Sequence, residues 1–174
     1  MLDKFVPDMY LKSVYDIDYA KLKKKGIKCI IFDLDNTLAP LNMNKPSKKL
    51  KDLIEDIKEL NLRILIVSNS TKKRVEPFKE ILNVDSAYFA SKPLSKKYIK
   101  IMKLYKLKPT QIACVGDQLL TDIYGANKMG MTSILVNPIC KKDRRITYVN
   151  RFFEKILFKL MAKNDLFKKG KYDD

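Results

Sequence analysis

Short apolar runs alternate with segments of helical spacing along most of this chain of 174 residues. The runs lack polar alternation, as parallel strands covered on both faces do, so strands are predicted at 28–33, 63–69, 87–89, 111–116 and 132–136. Capping residues and apolar periodicity predict the helices at 18–25, 47–60, 71–82, 95–105 and 121–129. Strict alternation requires right-handed crossovers, which predicts an α/β fold with a Rossmann-like doubly wound parallel sheet.

The length fits a single domain spanning 1–174. No stretch rich in Gly, Ser or Pro marks a linker, and no uncharged apolar run approaches the roughly 18 residues of a membrane span. The N-terminus lacks the apolar region of a secretory signal, and the apolar surroundings of two of the three cysteines agree with a reducing compartment. We therefore expect a cytoplasmic protein, or one held peripherally on the cytosolic face of a membrane.

Polar side chains end three of the predicted strands, at Asp33, Ser68 and Asp117. Ligands of doubly wound sheets bind beyond the carboxyl ends of the strands. Asp35 follows Asp33 closely, and two crowded carboxylates repel each other unless a cation or a phosphoryl group makes their charge useful. The pattern indicates a magnesium-dependent phosphoryl site, with a strand followed by an ordinary Asp-Asn turn as the alternative.

Lysine and arginine outnumber aspartate and glutamate by 36 to 20, which gives a net charge of +16, and histidine is absent. The charge predicts an anionic partner or substrate, although solvated helix faces explain many of the lysines equally well. The basic residues cluster at 23–25, 48–49, 72–74, 96–97, 141–145 and 168–171. The lack of histidine excludes His-based zinc sites and Ser-His or Cys-His dyads.

Four short motifs follow one another along the predicted scaffold. They are Asp33-Leu-Asp35-Asn-Thr37, Ser68 at a strand end, Lys92 in Ser-Lys-Pro, and Gly116-Asp117-Gln-Leu-Leu-Thr-Asp122. In this order they resemble the motifs of the haloacid dehalogenase-like (HAD) phosphatases, and the resemblance covers a catalytic core at about 27–138.

The resemblance implies a division of labour among these residues. Asp33 would be the nucleophile that forms an aspartyl phosphate, and Asp35 the general acid and base. Ser68, Asn69 and Lys92 would bind the phosphate, because charge on the transferring oxygens needs fixed donors and cations. Lys92 as an ordinary solvated lysine and the Ser68 segment as a helix cap are the alternatives.

The same resemblance implies a Mg²⁺ site. Its ligands would be the carboxylates of Asp33 and Asp117 and the backbone carbonyl of Asp35, with Asp122 in direct or water-mediated support. Asp122 could also simply cap the helix that follows it, or do both.

The motif spacing leaves no room for a cap domain. Asp35 and Ser68 lie 33 positions apart and Ser68 and Lys92 only 24, and the predicted helices, strand and loop fill both intervals. We therefore expect an open site that receives a phosphate carried on something large, such as a membrane, a protein or a nucleic acid.

Beyond the superfamily motifs, the sequence looks like the YqeG-type branch, which is similar to the mitochondrial phosphatidylglycerophosphatases. The matching segments are Pro7-Asp8 with Tyr10, 13–17, 116–122 and Asn150-Arg151. This resemblance implies a phospholipid head group as substrate, with dephosphorylation of phosphatidylglycerophosphate to phosphatidylglycerol. A HAD phosphatase acting on another phosphorylated protein, nucleic acid or metabolite is one alternative, and an RNA- or ribosome-associated binding protein is another.

A C-terminal amphipathic helix is predicted at about 148–163. The basic residues Arg151, Lys155 and Lys159 are predicted on one face of this helix. The apolar residues are predicted on the other face, and they are Val149, Phe152, Phe153, Ile156, Leu157, Leu160 and Met161. Such a helix could lie in the interface of an anionic membrane, or pack on the sheet or on a second subunit. The sequence makes no prediction of the oligomeric state.

Overall fold

The computed structural model describes residues 2–140 and 145–173. In this part of the chain six parallel strands form one sheet in the order β1-β6-β5-β2-β3-β4. The strands are β1 (Met9–Leu11), β2 (Cys29–Phe32), β3 (Arg63–Val67), β4 (Asp85–Ala87), β5 (Ile112–Gly116) and β6 (Thr132–Val136). The predicted α/β fold with a doubly wound parallel sheet is confirmed.

In the described residues six α-helices accompany the strands. They are α1 (Tyr19–Lys24), α2 (Lys48–Glu59), α3 (Lys72–Leu82), α4 (Lys96–Tyr105), α5 (Tyr124–Met129) and α6 (Arg145–Lys163). Short 3₁₀ turns lie at Leu2–Phe5, Val14–Asp16 and Pro109–Gln111, and a π-helical turn at Leu119–Ile123. Side-chain caps start two helices as predicted, since Asp18 accepts a hydrogen bond from the Lys21 amide at 2.7 Å and Ser47 from the Leu50 amide at 3.2 Å.

The centre of the sheet is buried on both faces. Every residue of β2 is buried, and its side chains alternate between two core layers, with Ile30 and Phe32 on one side and Cys29 and Ile31 on the other. This burial makes the carboxyl end of β2 a rigid support for the residues that follow it.

The observed elements differ from the predicted ones in three places. β1 was not predicted, and it pairs with β6 at the edge of the sheet. β4 lies at Asp85–Ala87 rather than at 87–89, and the segment predicted as one helix at 121–129 is divided between the π-helical turn and α5. Residues 33–92 are all described and hold α2, β3, α3 and β4 between the motifs, so no cap domain is inserted there.

The C-terminal helix α6 packs on the domain through only part of the predicted apolar face. Met161 is fully buried and Leu157 is half-buried in a cluster with Tyr10 and Leu119, so these two positions face the domain. The remaining apolar residues of the predicted face are 42–61% exposed, and they are Val149, Phe152, Phe153, Ile156 and Leu160. Most of the basic cluster at 141–145 lies outside the described residues. Within those residues, no helix is both long and apolar enough to cross a membrane.

Candidate active site

Three adjacent strands bring the predicted site residues to one edge of the sheet. β2 lies between β3 and β5, and Asp33, Ser68 and Asp117 directly follow these three strands. The Asp33 amide continues the strand pairing by donating to the Val115 carbonyl at 2.9 Å. The prediction that these polar side chains meet beyond the strand ends therefore agrees with the observed geometry.

The turn after Asp33 points its side chains back toward the other motifs. Asn36 adopts a left-handed conformation with φ of 64°, and its amide donates to the Ala39 carbonyl at 2.8 Å. This tight turn places Thr37 so that its hydroxyl donates to Oδ1 of Asp117 at 3.2 Å. The first and fourth motifs are thus joined by a direct, buried hydrogen bond.

Lys92 is buried at the centre of the site. Its Nζ lies 2.6 Å from Oδ1 of Asp33 and 2.6 Å from Oδ1 of Asp122, and its side chain is 4% exposed. Asn69 fixes the backbone of Lys92, because its side chain accepts from the Lys92 amide at 2.7 Å and donates to the Lys92 carbonyl at 3.3 Å. These contacts are incompatible with an ordinary solvated lysine.

Three carboxylates lie close together here, and Lys92 contacts two of them, Asp33 and Asp122. Asp33, Asp117 and Asp122 are buried, and each offers an oxygen within 4.8 Å of the others. Burial raises the pKa of the Asp33 carboxyl to about 7, with Asp122 adding to the effect and Lys92 opposing it. Burial also raises the pKa of Asp117 well above its ordinary value, against the opposing effect of Arg151. The cluster therefore holds more negative charge than its surroundings stabilise.

The residues of this cluster fit a divalent cation. Glu154 is a further buried acid, linked to the three aspartates through Arg151, and the described cationic side chains paired with these four acids are Lys92 and Arg151. Four carboxylates against two cations leave an excess of negative charge, and all the donors are hard oxygens of the kind that Mg²⁺ prefers. The metal predicted from sequence is thus matched by a suitable donor set, while the identity of the ion is a matter for experiment.

Gly116 allows the fourth motif to fold this closely. A Cβ atom at this position would lie 2.3 Å from Cγ of Asp122, too close for any side chain. Asp122 lies within the π-helical turn, where it accepts from the Gln118 amide at 3.2 Å, and α5 begins two residues later. Asp122 therefore accepts from the residue before the π-helical turn, while no side-chain cap starts α5 itself.

The second motif also makes contacts other than helix capping. Thr71 is the residue before α3, and the Ser68 hydroxyl instead accepts from the Ser70 amide at 3.1 Å. Asp35 lies opposite, where its Oδ1 accepts from Nε of Arg74 at 2.8 Å and its Oδ2 accepts from the Ser70 hydroxyl. Arg74 thus orients the predicted acid and base, although no motif pointed to it.

A cleft of about 90 Å³ opens among these residues. It is lined by Asp33, Asp35, Leu41, Ser68, Asn69, Ser70, Lys92, Gln118, Thr121, Thr147 and Asn150. All predicted catalytic and phosphate-binding residues are among them. Asp117 and Asp122 lie behind this lining, beside Lys92 and Asp33.

The helix α6 contributes residues that the sequence analysis did not assign to the site. Thr147 and Asn150 line the cleft, and the Asn150 side chain donates to that of Gln118 at 3.3 Å. Arg151 was predicted on the face opposite the apolar residues, and at Arg151 that face turns toward the site, because its guanidinium donates to the Asp117 carboxylate and to the Asp117 carbonyl, the latter at 2.7 Å. The Asn150-Arg151 pair was noted as part of a resemblance, but nothing in its spacing indicated contact with the site.

Comparisons with known proteins agree with this geometry. The chain is 38% identical over 156 residues to the probable phosphatase YqeG of Bacillus subtilis (strain 168). The aligned residues cover 89% of this chain and 91% of that protein. The chain is 24% identical over 143 residues to phosphatidylglycerophosphate phosphatase 1, chloroplastic, of Chlamydomonas reinhardtii, covering 77% of this chain and 53% of that protein.

A solved structure supports the fold assignment. The structure of a HAD-like family hydrolase from Porphyromonas gingivalis matches with a TM-score of 0.56 at 12% identity, covering 74% of this chain and 98% of that one. Residues 2–140 match the model of the family described as mitochondrial PGP phosphatase. The chain therefore belongs to the mitochondrial PGP phosphatase family and is a HAD-type phosphatase, a hydrolase of phosphoric monoesters.

Proposed function

We propose that this protein is a magnesium-dependent phosphatase that converts phosphatidylglycerophosphate to phosphatidylglycerol through an aspartyl-phosphate intermediate. The observation that carries the proposal is the buried cluster of Asp33, Asp117 and Asp122 around Lys92, beside a small cleft that Asp35 also lines. A nucleophilic carboxylate, a second carboxylate for proton transfer and fixed positive charge are the groups that phosphoryl transfer requires.

The proposed reaction has two steps. First, an oxygen of Asp33 forms a bond to phosphorus while the bond from phosphorus to the leaving oxygen breaks, and Asp35 gives that oxygen a proton. A water molecule then attacks phosphorus and Asp35 takes its proton, which breaks the acyl-phosphate bond and releases inorganic phosphate. Arg74 supports both steps because it holds the Asp35 carboxylate at 2.8 Å in a fixed orientation.

The donors for the transferring phosphoryl group surround the cleft. Lys92 fixes the Asp33 carboxylate through Oδ1 and supplies positive charge next to it. Ser68 and Asn69 line the opposite wall, where hydroxyl, amide and backbone N–H groups can hold phosphoryl oxygens.

The metal would be held by Asp33, Asp117 and Asp122, with the backbone carbonyl of Asp35. When bound, Mg²⁺ would neutralise charge on the phosphoryl group and make the approach of a dianionic substrate to the aspartates favourable. The chain's own cations are shared among four carboxylates, so they do not supply this neutralisation by themselves.

The size of the cleft supports a substrate whose phosphate enters while the alcohol stays outside. The cleft of about 90 Å³ is small and is lined by the phosphate-binding and catalytic residues, which suits a phosphoryl group better than a whole metabolite. No cap domain lies between the motifs, so the described structure offers no enclosure for a free metabolite. A lipid head group on a surface meets these conditions, and a relative bears the name of phosphatidylglycerophosphate phosphatase.

An anionic bilayer is the partner that the outer face of α6 fits best. We define this face by Val149, Phe152, Phe153, Ile156 and Leu160, which are all exposed. The exposed lysines Lys155 and Lys159 lie along its border, and the chain carries a net charge of +16. Aromatic and aliphatic side chains can enter the interfacial region while lysines bind anionic lipids. Since α6 also lines the cleft, docking through this face keeps the site near the lipid head groups.

The substrate assignment is tested with a panel of phosphomonoesters. Phosphatidylglycerophosphate in liposomes, glycerol 3-phosphate, an aryl phosphate and 5′-phosphorylated RNA are each incubated with the protein and Mg²⁺. We expect efficient hydrolysis of the lipid and weak hydrolysis of glycerol 3-phosphate, because the bilayer supplies much of the binding energy. A preference for the soluble phosphates or for RNA ends would overturn the substrate assignment and leave the phosphatase assignment intact.

The membrane contact is tested by changing the outer face of α6. The double substitution Phe153→Asp and Ile156→Asp should weaken binding to anionic vesicles by ~10-fold or more, since it removes two apolar anchors and adds repulsive charge. Sedimentation with vesicles measures the binding, which should also weaken as salt rises. Turnover of a soluble aryl phosphate should fall much less.

Leu104→Asp is the matched control. Leu104 is 71% exposed on α4, away from α6, so its substitution adds the same kind of charge without touching the outer face. Equal loss of vesicle binding in both variants, or equal losses in binding and in aryl phosphate turnover, would contradict a docking role for α6.

A further inference from the structure

Arg151, on the side of α6 that faces the domain, contacts both the side chain and the backbone of Asp117, one of the proposed metal ligands. The guanidinium of Arg151 donates to Oδ2 of Asp117, and its Nη1 donates to the Asp117 backbone carbonyl at 2.7 Å. A planar guanidinium that contacts both the main chain and the side chain of one residue restricts the rotation of that side chain. Thr37 contacts the other oxygen, Oδ1, at 3.2 Å.

Glu154 fixes Arg151 in turn. Its Oε2 accepts from Nη1 of Arg151 at 3.0 Å, one turn along the same helix. Its Oε1 accepts from the Leu120 amide at 3.2 Å, at the start of the π-helical turn that carries Asp122. The Glu154 side chain is 2% exposed, so water does not weaken these contacts. Arg151 is therefore tied to two parts of the fourth motif at once.

These contacts indicate that Arg151 orients the Asp117 carboxylate and does not only neutralise its charge. A lysine or a solvent cation could balance the charge of Asp117, but neither has the planar, fixed donor geometry with which the guanidinium contacts its carboxylate, its carbonyl and Glu154. Arg151 also contacts the Asp117 carbonyl and Glu154, and neither contact uses the Asp117 carboxylate that would bind the metal. Arg151 can therefore keep its place when a cation enters among the three aspartates.

We propose that Arg151 is a positioning residue that sets the Asp117 carboxylate for the divalent cation, and that Glu154 anchors it. This inference rests on the proposed function in that the acidic cluster binds Mg²⁺. It makes α6 a structural part of the metal site, although the family model that matches this chain ends at residue 140. Groups that orient metal ligands in this way typically change metal affinity by ~10–100-fold when they are replaced.

The test is Mg²⁺ binding to the purified chain, measured by titration calorimetry and by the rise in Tm that Mg²⁺ produces. Arg151→Gln should weaken Mg²⁺ binding by ~10–100-fold, and Glu154→Gln should weaken it by a smaller factor in the same direction. Arg151→Lys should recover part of the loss at most, because an ammonium group lacks the fork geometry. In activity assays Arg151→Gln should raise the Mg²⁺ concentration needed for half-maximal rate much more than it lowers the rate at saturation.

Lys155→Gln is the matched control, since it removes the same charge from the exposed side of the same helix. Unchanged Mg²⁺ affinity in Arg151→Gln, with a lower Tm of the metal-free protein, would reduce Arg151 to a structural contact and overturn the proposal. Tighter Mg²⁺ binding would overturn it too, because it would make Arg151 a competitor of the metal. If Arg151→Gln does not fold, Mg²⁺ affinity is measured in Glu154→Gln and Arg151→Lys, and unchanged affinity in both would overturn the proposal. A wild-type chain without Mg²⁺ binding would instead refute the metal in the proposed function.

Discussion

Asp33→Asn should reduce the hydrolysis of every phosphomonoester to near background, a loss of ~10⁴-fold or more. The reason is that an amide cannot attack phosphorus and form the acyl phosphate on which the two-step reaction depends. The measurement is steady-state turnover of both phosphatidylglycerophosphate in liposomes and a soluble aryl phosphate. Wild-type turnover of the aryl phosphate by this variant would contradict covalent catalysis by Asp33.

The same variant should stay folded, and thermal unfolding of the metal-free protein checks this. Burial raises the pKa of Asp33 from 3.8 to about 7 in the native state, so the native state loses stability as the pH rises from about 4 to about 7, and this loss stays constant above pH 7. Asparagine avoids this penalty and can still accept from Lys92, so the variant should be more stable than wild type at pH 8 by about 1–2 kcal/mol, or roughly 2–8 °C in Tm. The difference should shrink as the pH falls from about 7 and disappear below 3.8, where the wild-type carboxyl is protonated in both states.

Removal of divalent metal should abolish turnover, and Mg²⁺ should restore it. The three buried aspartates repel a phosphate dianion, so a cation must neutralise their negative charge before the substrate can bind. Ca²⁺ should fail to restore the rate, because its longer and looser coordination would misplace the phosphoryl oxygens. The assay is turnover of an aryl phosphate after dialysis against chelator, followed by titration with each metal.

Asp117→Asn extends the metal prediction to a single ligand. It should raise the Mg²⁺ requirement by ~100-fold or more, since it removes a charged ligand and the carboxylate that Arg151 orients. Asp52→Asn serves as the control, because Asp52 is an exposed carboxylate on α2. Full activity of the dialysed wild-type protein in chelator would overturn the metal assignment.

The sequence identified the central sheet and the motif residues because both depend on local patterns. β2, β3 and β5 are continuous apolar runs, and each ends in the polar residue that enters the site. Once these strands are parallel neighbours, Asp33, Ser68 and Asp117 must meet, so their proximity followed from the fold class. The position of Lys92 is less obvious, because it depends on the loop after β4 and on its contacts with Asn69.

The edges of the sheet were harder to predict because they depend on pairing between distant segments. β1 has three residues and pairs with β6 more than 120 positions away, so no local periodicity indicates it. β4 is also three residues long, and its exact position is fixed by pairing with Leu65, Ile66 and Val67 rather than by its own composition.

The helix α6 was predicted, but its rotation about its own axis was not. Apolar residues occupy most of its circumference, so hydrophobicity alone could not decide which side faces the domain. The structure buries Met161 and Glu154 and leaves Phe152 and Phe153 exposed. The polar contacts of Glu154 and Arg151 with the fourth motif fix the orientation, and such contacts between distant segments leave no pattern in the sequence.

The covalent intermediate tests the central claim most directly. Asp35→Asn should turn over natural substrate ~10²–10⁴-fold more slowly, but an aryl phosphate with a good leaving group needs no acid for the first step. Phosphorylated enzyme should therefore accumulate when this variant is mixed with the aryl phosphate and quenched in acid. Peptide mass spectrometry should place one phosphoryl group on Asp33, and it should be labile to hydroxylamine. Release of the aryl alcohol by this variant without phosphate on Asp33, or with phosphate on another residue, would contradict the account.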